Sequence, residues 1–512
     1  MTHWPSPSAQ ALRYALLSLA ALAAIALSET ILQSPSSLYV AFQPAAFVRE
    51  GWALLCIVSG MALAGACLDQ QRRPPWLAAA TRGLLLLLLF VGLFQIFRRS
   101  LASTLVLNTL LKAGLLGFCF VAAIAAVWRL KPMTQWRLAS ACGVTVLVIF
   151  ALQPGMPGYL LNILRPQPAA AMISATPPEG TPRRTVVLIL DEWDFEVSTK
   201  EQLFESEPMR ELLAQSFFAE RAMPAGPSTL SSIPGMLTGQ RFGKVDSGGS
   251  GFLLNERGER FDASTPMLFT DLASTGRSHA VVGFYHDYCA VVRTARACHA
   301  EPVQFFPGWW SSLSRAFKRQ QEFDSPYSDF LQQWSGTYQK LSEHAVHEVA
   351  DRRNSMVWLH LNVPHPPVAA AGAVPRSLAE DYRANLQQMQ SLIAELRATL
   401  ERAGGDSALV LTSDHWLREK ELWAGVYERQ RGPGSGSAGK SDDQHVPFIV
   451  WFSGAKAQGM SGAPALSTTA LRELVPALME RRINSPAGVA EFFAGRKDLV
   501  EPFRSSNGAS VH

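Results

Sequence analysis

Five short apolar runs in the second half of the chain constrain its fold most strongly. They cover residues 185–190, 280–285, 356–362, 408–412 and 446–452. Continuous runs of this length, rich in Val, Ile and Leu, are typical of strands buried on both faces of a parallel sheet. Between the third and fourth runs, the capping box at 377–380 and a three- or four-residue apolar spacing predict a helix that ends at Gly404-Gly405. Strand, helix, strand is a βαβ unit, so the sequence predicts a mostly parallel α/β sheet sandwiched by helices.

Polar side chains follow four of these five runs. The residues beyond the run ends are Asp191-Glu192, His286-Asp287, His365 and Asp414-His415. In open α/β sheets, ligands bind beyond the carboxyl ends of parallel strands, and an adjacent carboxylate and imidazole can bind a divalent metal. Taken alone, each of these endings could equally be a solvated loop or a helix cap and not part of a binding site. Four endings at one edge of a sheet favour a constructed site.

The first half of the chain has a different composition. Hydrophobic residues make up 48% of the whole sequence, and they are concentrated before about residue 155. Five apolar segments there approach the roughly 20 residues that span a bilayer. They cover residues 11–32, 47–68, 83–97, 110–128 and 138–152. A cleaved signal peptide would not be followed by four more such segments, so we predict five transmembrane helices.

The loops between these segments predict the orientation. The positive-inside rule places the amino terminus and the Arg-rich loops around Arg72 and Arg129 in the cytoplasm. Arg98 and Arg99 then lie outside, against the rule. Five crossings put the rest of the chain outside. We therefore expect a multi-pass protein of the cytoplasmic (inner) membrane with a transmembrane domain at 1–154, a linker at 155–182 and an extracytoplasmic, periplasmic domain at 183–505.

Two further features bear on partners. A net charge of +4, without a basic run containing aromatics, does not indicate nucleic-acid binding. The aromatic stretch 305–310, followed by Arg315, Lys318 and Arg319, fits either an interfacial membrane patch or a buried corner. Outside the cytoplasm, Cys289 and Cys298 are free to form a disulfide.

Four motifs in the second half occur in a fixed order. They are Val-Val-Leu-Ile-Leu-Asp-Glu192, the stretch from Pro227 to Gly239, Leu-Asn-Val-Pro-His365 and Leu-Thr-Ser-Asp-His415. This set resembles the sulfatase-like branch of the alkaline phosphatase superfamily. Together with five membrane segments, it more closely resembles the phosphoethanolamine and phosphoglycerol transferases, the latter similar to lipoteichoic acid synthases. The resemblance covers residues from about 185 to 455.

The resemblance implies a divalent metal and a set of site residues. It implies metal ligands at Glu192, Thr229, Asp414 and His415, allows Asp191 as a further ligand, makes Thr229 the nucleophile and assigns the transferred phosphate to His365 and His445. Oxygen and imidazole ligands of this kind suit Zn²⁺ or Mn²⁺ better than Ca²⁺. A threonine hydroxyl needs activation to act as a nucleophile, and metal coordination supplies it.

Details around Thr229 separate the candidate reactions. Spacing favours Thr229 over Ser228 as the nucleophile, and Pro234 predicts that the following helix begins near Ser232. No Cys/Ser-x-Pro-x-Arg context surrounds Thr229, so formylglycine formation is not indicated. The expected function is transfer of a phosphoethanolamine or phosphoglycerol group from a phospholipid to an envelope lipid or glycan through phospho-threonine. A phosphodiesterase or sulfatase on the same site, and a non-catalytic envelope protein, are the alternatives. His360, in the middle of a run, is expected to be a packed core residue.

Overall fold

The structure, a computed structural model, describes residues 183–496 except for internal gaps. The gaps are 246–252, 260, 262–264, 287, 303–325, 369–375, 440–442, 455–458, 462–465 and 495. The five predicted membrane segments, the linker at 155–182, the aromatic stretch 305–310 and the expected domain end at 505 lie outside the described residues. Within the described part, no helix combines the length and the apolar character needed to cross a membrane.

The described part alternates strands and helices. The strands are β1 (Arg184–Leu190), β2 (Ser216–Met223), β3 (Phe242–Val245), β4 (Leu253–Asn255), β5 (His279–Tyr285), β6 (Ala297–Pro302), β7 (Met356–Leu361), β8 (Ser407–Ser413), β9 (Val446–Phe452), β10 (Met460–Ser461) and β11 (Leu466–Ser467). The helices are α1 (Phe195–Lys200), α2 (Glu207–Leu213), α3 (Thr229–Thr238), α4 (Leu268–Ser274), α5 (Tyr288–Val291), α6 (Pro326–Ala350), α7 (Leu378–Ala403), α8 (Ala424–Arg431), α9 (Leu471–Met479) and α10 (Pro486–Ala494).

One nine-stranded sheet organises this domain. Its order is β10-β2-β9-β8-β1-β7-β5-β6, with β11 pairing β2. The described pairs are parallel except those of β9, which runs antiparallel to both β8 and β2. The prediction of a mostly parallel α/β sheet is therefore confirmed. Because β9 is reversed, its first residue lies at the edge where β8 ends, and we call this edge the rim.

Alternate residues of the central strand pack on opposite faces of the sheet. Val187 and Ile189 belong to a core shared with α3, α4, α9 and α10. Val186, Leu188 and Leu190 belong to a second core shared with α2, α6 and α7. All five side chains are fully buried, as expected for a strand covered on both faces. Helices therefore sandwich the sheet, which leaves the rim as the place where polar groups can gather.

The predicted elements are present, with differences at their ends. The five apolar runs form β1, β5, β7, β8 and β9, and the predicted helix is α7, with Ser377 as its N-cap and Gly404 as its C-cap. The predicted helix start near Ser232 is wrong, since α3 begins at Thr229. Its first turn closes through Ser231 N and Ser232 N to Ser228 O, at 3.0 and 2.8 Å. Pro234 therefore lies in the second turn, where it removes only the donor for Leu230 O.

Candidate active site

The strand register brings two carboxylates together at the rim. Leu190 of β1 pairs with Ser413 of β8 on one side and with Leu361 of β7 on the other. Asp191 and Asp414 are the next residues after β1 and β8, so they lie side by side at the rim. Both are essentially inaccessible to solvent, with 1% and 0% exposure.

Hydrogen bonds fix the two loops that carry these carboxylates. The Ser413 hydroxyl lies 2.6 Å from Leu190 O and accepts the Trp193 N–H at 2.7 Å. Tyr382 donates its hydroxyl to Glu192 O at 2.8 Å, and the same hydroxyl accepts Asp194 N–H. Glu192 has a positive φ of 59°, which a non-glycine residue rarely adopts. Such backbone strain, held by surrounding bonds, is typical of functional sites.

The tautomer of His415 follows from its contacts. His415 Nδ1 lies 2.9 Å from Trp416 O, and because a carbonyl only accepts, Nδ1 carries the proton. Nε2 therefore presents a lone pair. It lies 3.2 Å from Thr229 Oγ1, 3.4 Å from Asp414 Oδ2 and 3.7 Å from Asp191 Oδ1. Burial, assisted by the charge of Arg418, lowers the pKa of His415 to about 3, so the ring is neutral near pH 7.

Thr229 begins α3 and faces this lone pair. The Ser232 hydroxyl donates to Asp414 O at 2.5 Å, which fastens the first turn of α3 to the end of β8. His286 Nε2 donates to Thr229 O at 3.0 Å. The Ser228 hydroxyl instead lies 3.3 Å from that of Ser231. Of the two candidate nucleophiles, Thr229 is therefore the one in contact with His415.

Three buried side chains that can bind a metal converge at the rim. One atom each from Asp191, His360 and Asp414 lies within 4.8 Å of the other two. Asp191 Oδ1, Asp414 Oδ2 and His360 Nε2 have no hydrogen-bond partner among the residues that the structure describes. Burial and the neighbouring Asp414 raise the pKa of Asp191 well above its usual value. A divalent cation would supply the missing partner and offset the repulsion, so these residues fit a metal.

Glu192 differs from the expected ligand role. Its Oε1 accepts Arg418 Nε–H at 2.9 Å, and its Oε2 accepts Trp423 Nε1–H at 2.6 Å. Burial alone would raise the pKa of Glu192, but the charges of His365 and Arg418 outweigh it and lower the pKa. Oε1 lies 3.9 Å from His415 Nδ1, the nitrogen that faces away from Thr229. Of the expected ligand set, Asp191, Thr229, Asp414 and His415 converge, and Glu192 lies on the other side of the imidazole.

The two histidines expected to hold phosphate lie elsewhere on the rim. The His365 ring centroid is 4.9 Å from that of Trp334 and 5.0 Å from that of Trp423. It is half-buried, and burial lowers its pKa. His445 precedes β9 and bonds Asp443. Within the described part, neither histidine hydrogen-bonds to Thr229.

Sequence reasoning missed three residues of this region. His360 was expected to be core, and it is fully buried, but its Nε2 lies 3.9 Å from Asp414 Oδ2. Arg418 and Trp423 hold Glu192 from the segment after β8. The signal available for His360 was an ionisable residue inside an otherwise apolar run. For Arg418, only its position three residues after His415 could have drawn attention.

A disulfide ties one rim loop to the sheet. Cys289 in α5 is bonded to Cys298 in β6, with an S–S distance of 2.12 Å and a Cα–Cα distance of 5.7 Å. The bond spans nine residues and ties the segment that follows β5 to β6. His286, the residue that supports Thr229, lies three residues before Cys289.

The described residues define a mostly parallel α/β sheet with carboxylates and histidines gathered at its rim. Residues 184–481 match the family model described as Sulfatase, and the chain belongs to that family. No curated protein matches it in sequence.

Three solved structures are similar to this chain. Ps i-CgsB in complex with k-i-k-neocarrahexaose is 14% identical, with a TM-score of 0.40, and the match covers 61% of this chain and 76% of that one. Lipooligosaccharide phosphoethanolamine transferase A from Neisseria meningitidis, an integral membrane protein, is 13% identical with a TM-score of 0.37, covering 92% and 95%. Lipoteichoic acid synthase LtaP from Listeria monocytogenes is 10% identical with a TM-score of 0.34, covering 60% and 74%. These values bear on neither substrate nor reaction.

Proposed function

We propose that this protein is a metal-dependent transferase that moves a phosphoethanolamine or phosphoglycerol group from a phospholipid to an envelope lipid or glycan. The observation that carries the proposal is the contact of Thr229 Oγ1 with the neutral His415 Nε2, 3.2 Å away, beside two unpartnered carboxylate oxygens. A hydroxyl placed against a set of metal-binding atoms is the arrangement that an activated nucleophile requires.

The proposed metal site uses residues from three neighbouring strands. Asp191 follows β1, His360 lies in β7, and Asp414 and His415 follow β8. Bound Zn²⁺ or Mn²⁺ would acidify the threonine hydroxyl and offset phosphate charge. Two carboxylates and two neutral imidazoles make a donor set of the kind that both metals accept.

The proposed reaction has two steps that balance. In the first, Thr229 Oγ1 bonds to the head-group phosphorus, the bond from phosphorus to the diacylglycerol oxygen breaks, and that oxygen takes up a proton equivalent to the one that Thr229 loses. In the second, the acceptor hydroxyl oxygen bonds to phosphorus and the Thr229 Oγ1–phosphorus bond breaks, which returns a proton to Thr229. Each step replaces one phosphate ester by another, so no water is consumed.

Several residues of this chain would orient the phosphoryl group. Thr229 is the first residue of α3, where the free backbone N–H groups of a helix favour an anion. His365 Nδ1 has no hydrogen-bond partner among the described residues and is proposed, with His445, to bind phosphoryl oxygens. Arg418, whose side chain is 28% exposed, would add positive charge at the mouth of the site.

In this proposal, the five predicted membrane segments hold the catalytic domain at a lipid surface. The domain boundaries at 154 and 182 belong to the proposal as well. The Cys289–Cys298 disulfide supports an extracytoplasmic catalytic domain, because disulfides persist in oxidising compartments. A phospholipid donor would then be within reach of the rim.

Hydrolysis of a phosphodiester or sulfate ester is the second candidate. Membership of the sulfatase family favours it. The two reactions differ only in whether water or an acceptor hydroxyl takes the group from Thr229. The unmodified threonine, outside a formylglycine context, favours transfer.

Mass spectrometry distinguishes these functions. The full-length protein would be incubated with phospholipid labelled in its head group, and peptides containing Thr229 would be measured with and without an added envelope acceptor. Transfer predicts an adduct on Thr229 that is released only when the acceptor is present. Release into water alone would establish the hydrolase. The absence of both an adduct and a bound divalent metal would leave the non-catalytic envelope protein.

A further inference from the structure

A second layer of residues surrounds His360 and bears on its role. His360 Nδ1 lies 2.9 Å from the Tyr288 hydroxyl, while its Nε2 points towards Asp414 Oδ2 at 3.9 Å. Both His360 and Tyr288 are buried, with 0% and 1% exposure. We propose that Tyr288 is a positioning residue that holds His360 as a ligand of the metal. This inference rests on the proposed metal site and extends it to residues beyond the ligands.

The chemistry of a tyrosine hydroxyl suits this position. A neutral imidazole carries one proton, and it can bind a metal through Nε2 only when that proton is on Nδ1. The Tyr288 oxygen can accept the Nδ1 proton in that state. In the metal-free state the same hydroxyl can donate to Nδ1, so that an Nε2 proton faces the carboxylates. Tyr288 therefore supports either tautomer, and ligating histidines commonly rely on such a partner.

The space for the Tyr288 ring is provided by a glycine. Gly283 of β5 pairs with His360 of β7 in the sheet register. A Cβ built on Gly283 would lie 2.1 Å from Tyr288 Cδ2, which no real structure tolerates. Gly283 is therefore required for the close approach of the ring. Its absent side chain allows the Tyr288 hydroxyl to reach the imidazole on the neighbouring strand.

The backbone of Tyr288 is held by a covalent bond. The next residue, Cys289, is joined to Cys298 of β6, the strand beside β5. The same loop carries His286, which donates to Thr229 O. One disulfide-tied loop thus supports both the proposed nucleophile and the proposed ligand His360.

The test measures metal affinity rather than turnover. Zn²⁺ affinity of full-length protein would be measured by competition with a chromophoric chelator, and the visible spectrum of the Co²⁺-loaded protein would report the ligand set. Tyr288→Phe keeps the ring and removes the hydroxyl, so we expect affinity to fall about 10- to 100-fold and the Co²⁺ spectrum to change. His360→Gln should weaken binding at least as much. Tyr338→Phe is the matched control, since its hydroxyl donates to Gln388 O at 3.4 Å and not to His360, and it should bind like wild type.

Thermal unfolding of the metal-free variants separates positioning from folding. Tyr288→Phe should unfold near the wild-type temperature while losing affinity. Wild-type affinity in Tyr288→Phe, or an equal loss in Tyr338→Phe, would overturn the positioning role. If His360→Gln also bound normally while Asp414→Asn did not, His360 would be no ligand and the proposed function would stand. If wild-type protein bound no divalent metal, this inference and the proposed function would both fail.

Discussion

The two nitrogens of His415 face regions of opposite character. On the Nδ1 side, the oxygens of Glu192 are bonded to Arg418 and Trp423. On the Nε2 side, Asp191 Oδ1 and Asp414 Oδ2 have no hydrogen-bond partner among the described residues. Both regions are buried, so burial does not distinguish them. Buried polar groups are nearly always paired, and two buried carboxylate oxygens that lack a partner among the described residues indicate where something else must bind.

Both regions contain a carboxylate from the end of a single strand, β1. Asp191 and Glu192 are adjacent in sequence, but the positive φ of Glu192 turns its side chain away from that of Asp191. The Asp191 side chain faces the Nε2 side of His415, and the Glu192 side chain anchors the loop through Arg418. We infer that the Nδ1 side is scaffold and the Nε2 side is the reactive site.

Removing the proposed nucleophile should have the largest effect. Thr229→Ala should lower transfer at least about a thousandfold, since residue 229 then has no hydroxyl to present on the Nε2 side of His415. Adduct formation from labelled phospholipid, followed by mass spectrometry, measures it. Thr229→Ser keeps a hydroxyl and should keep the adduct. An adduct that survives Thr229→Ala but disappears in Ser228→Ala would move the nucleophile to the neighbouring residue.

The Asp414→Asn substitution tests the Nε2 side of His415. Metal affinity should fall more than about a hundredfold, because a charged ligand is lost. The metal-free protein should become more stable by about 1 kcal/mol, since an amide next to Asp191 replaces carboxylate repulsion by a hydrogen bond. Chelator competition and urea unfolding measure the two quantities. A metal-free variant several kcal/mol less stable would show that Asp414 is structural.

Acid should act on the buried histidines around Thr229. Burial lowers the pKa of His286 to about 3, against about 6.5 in an unfolded chain. The stability that this neutral ring contributes is complete above pH 6.5 and is lost as pH falls towards 3, by about 1.4 kcal/mol per pH unit. Urea unfolding at several pH values, with chelator present, measures the slope. His286→Gln should flatten it, and an unchanged slope would contradict the burial of a neutral imidazole.

A substitution on the Nδ1 side of His415 should change the stability of the protein and leave its metal affinity nearly unchanged. Glu192→Gln should destabilise the protein by about 1–2 kcal/mol, discounted for the partial exposure of Arg418, and should change metal affinity less than about threefold. Glu196→Gln, which breaks a surface pair with Lys200, is the control and should cost about 0.3 kcal/mol. A hundredfold loss of metal in Glu192→Gln would restore Glu192 to the ligand role that the motif resemblance implied.

The sequence predicted the sheet better than it predicted the rim. Apolar runs and the capping box at Ser377 identify β1, β5, β7, β8, β9 and α7 because burial and local capping leave direct patterns. Asp414, His415 and Thr229 were predicted as site residues because motifs and strand ends mark them. The direction of the Glu192 side chain depends on one backbone angle and on Arg418, 226 residues away, and no local pattern encodes it. The contact of His360 with Tyr288 likewise depends on Gly283, through strand register.

The position of the bound metal distinguishes the two sides of His415. A crystal structure of the Zn²⁺- or Mn²⁺-loaded protein, with the ion located by anomalous scattering, would settle which side of His415 is reactive. We predict one ion about 2.0–2.2 Å from His415 Nε2 and from carboxylate oxygens of Asp191 and Asp414, beside Thr229 Oγ1. An ion bound through Glu192, or bound without contact to Asp191 and Asp414, would contradict this account.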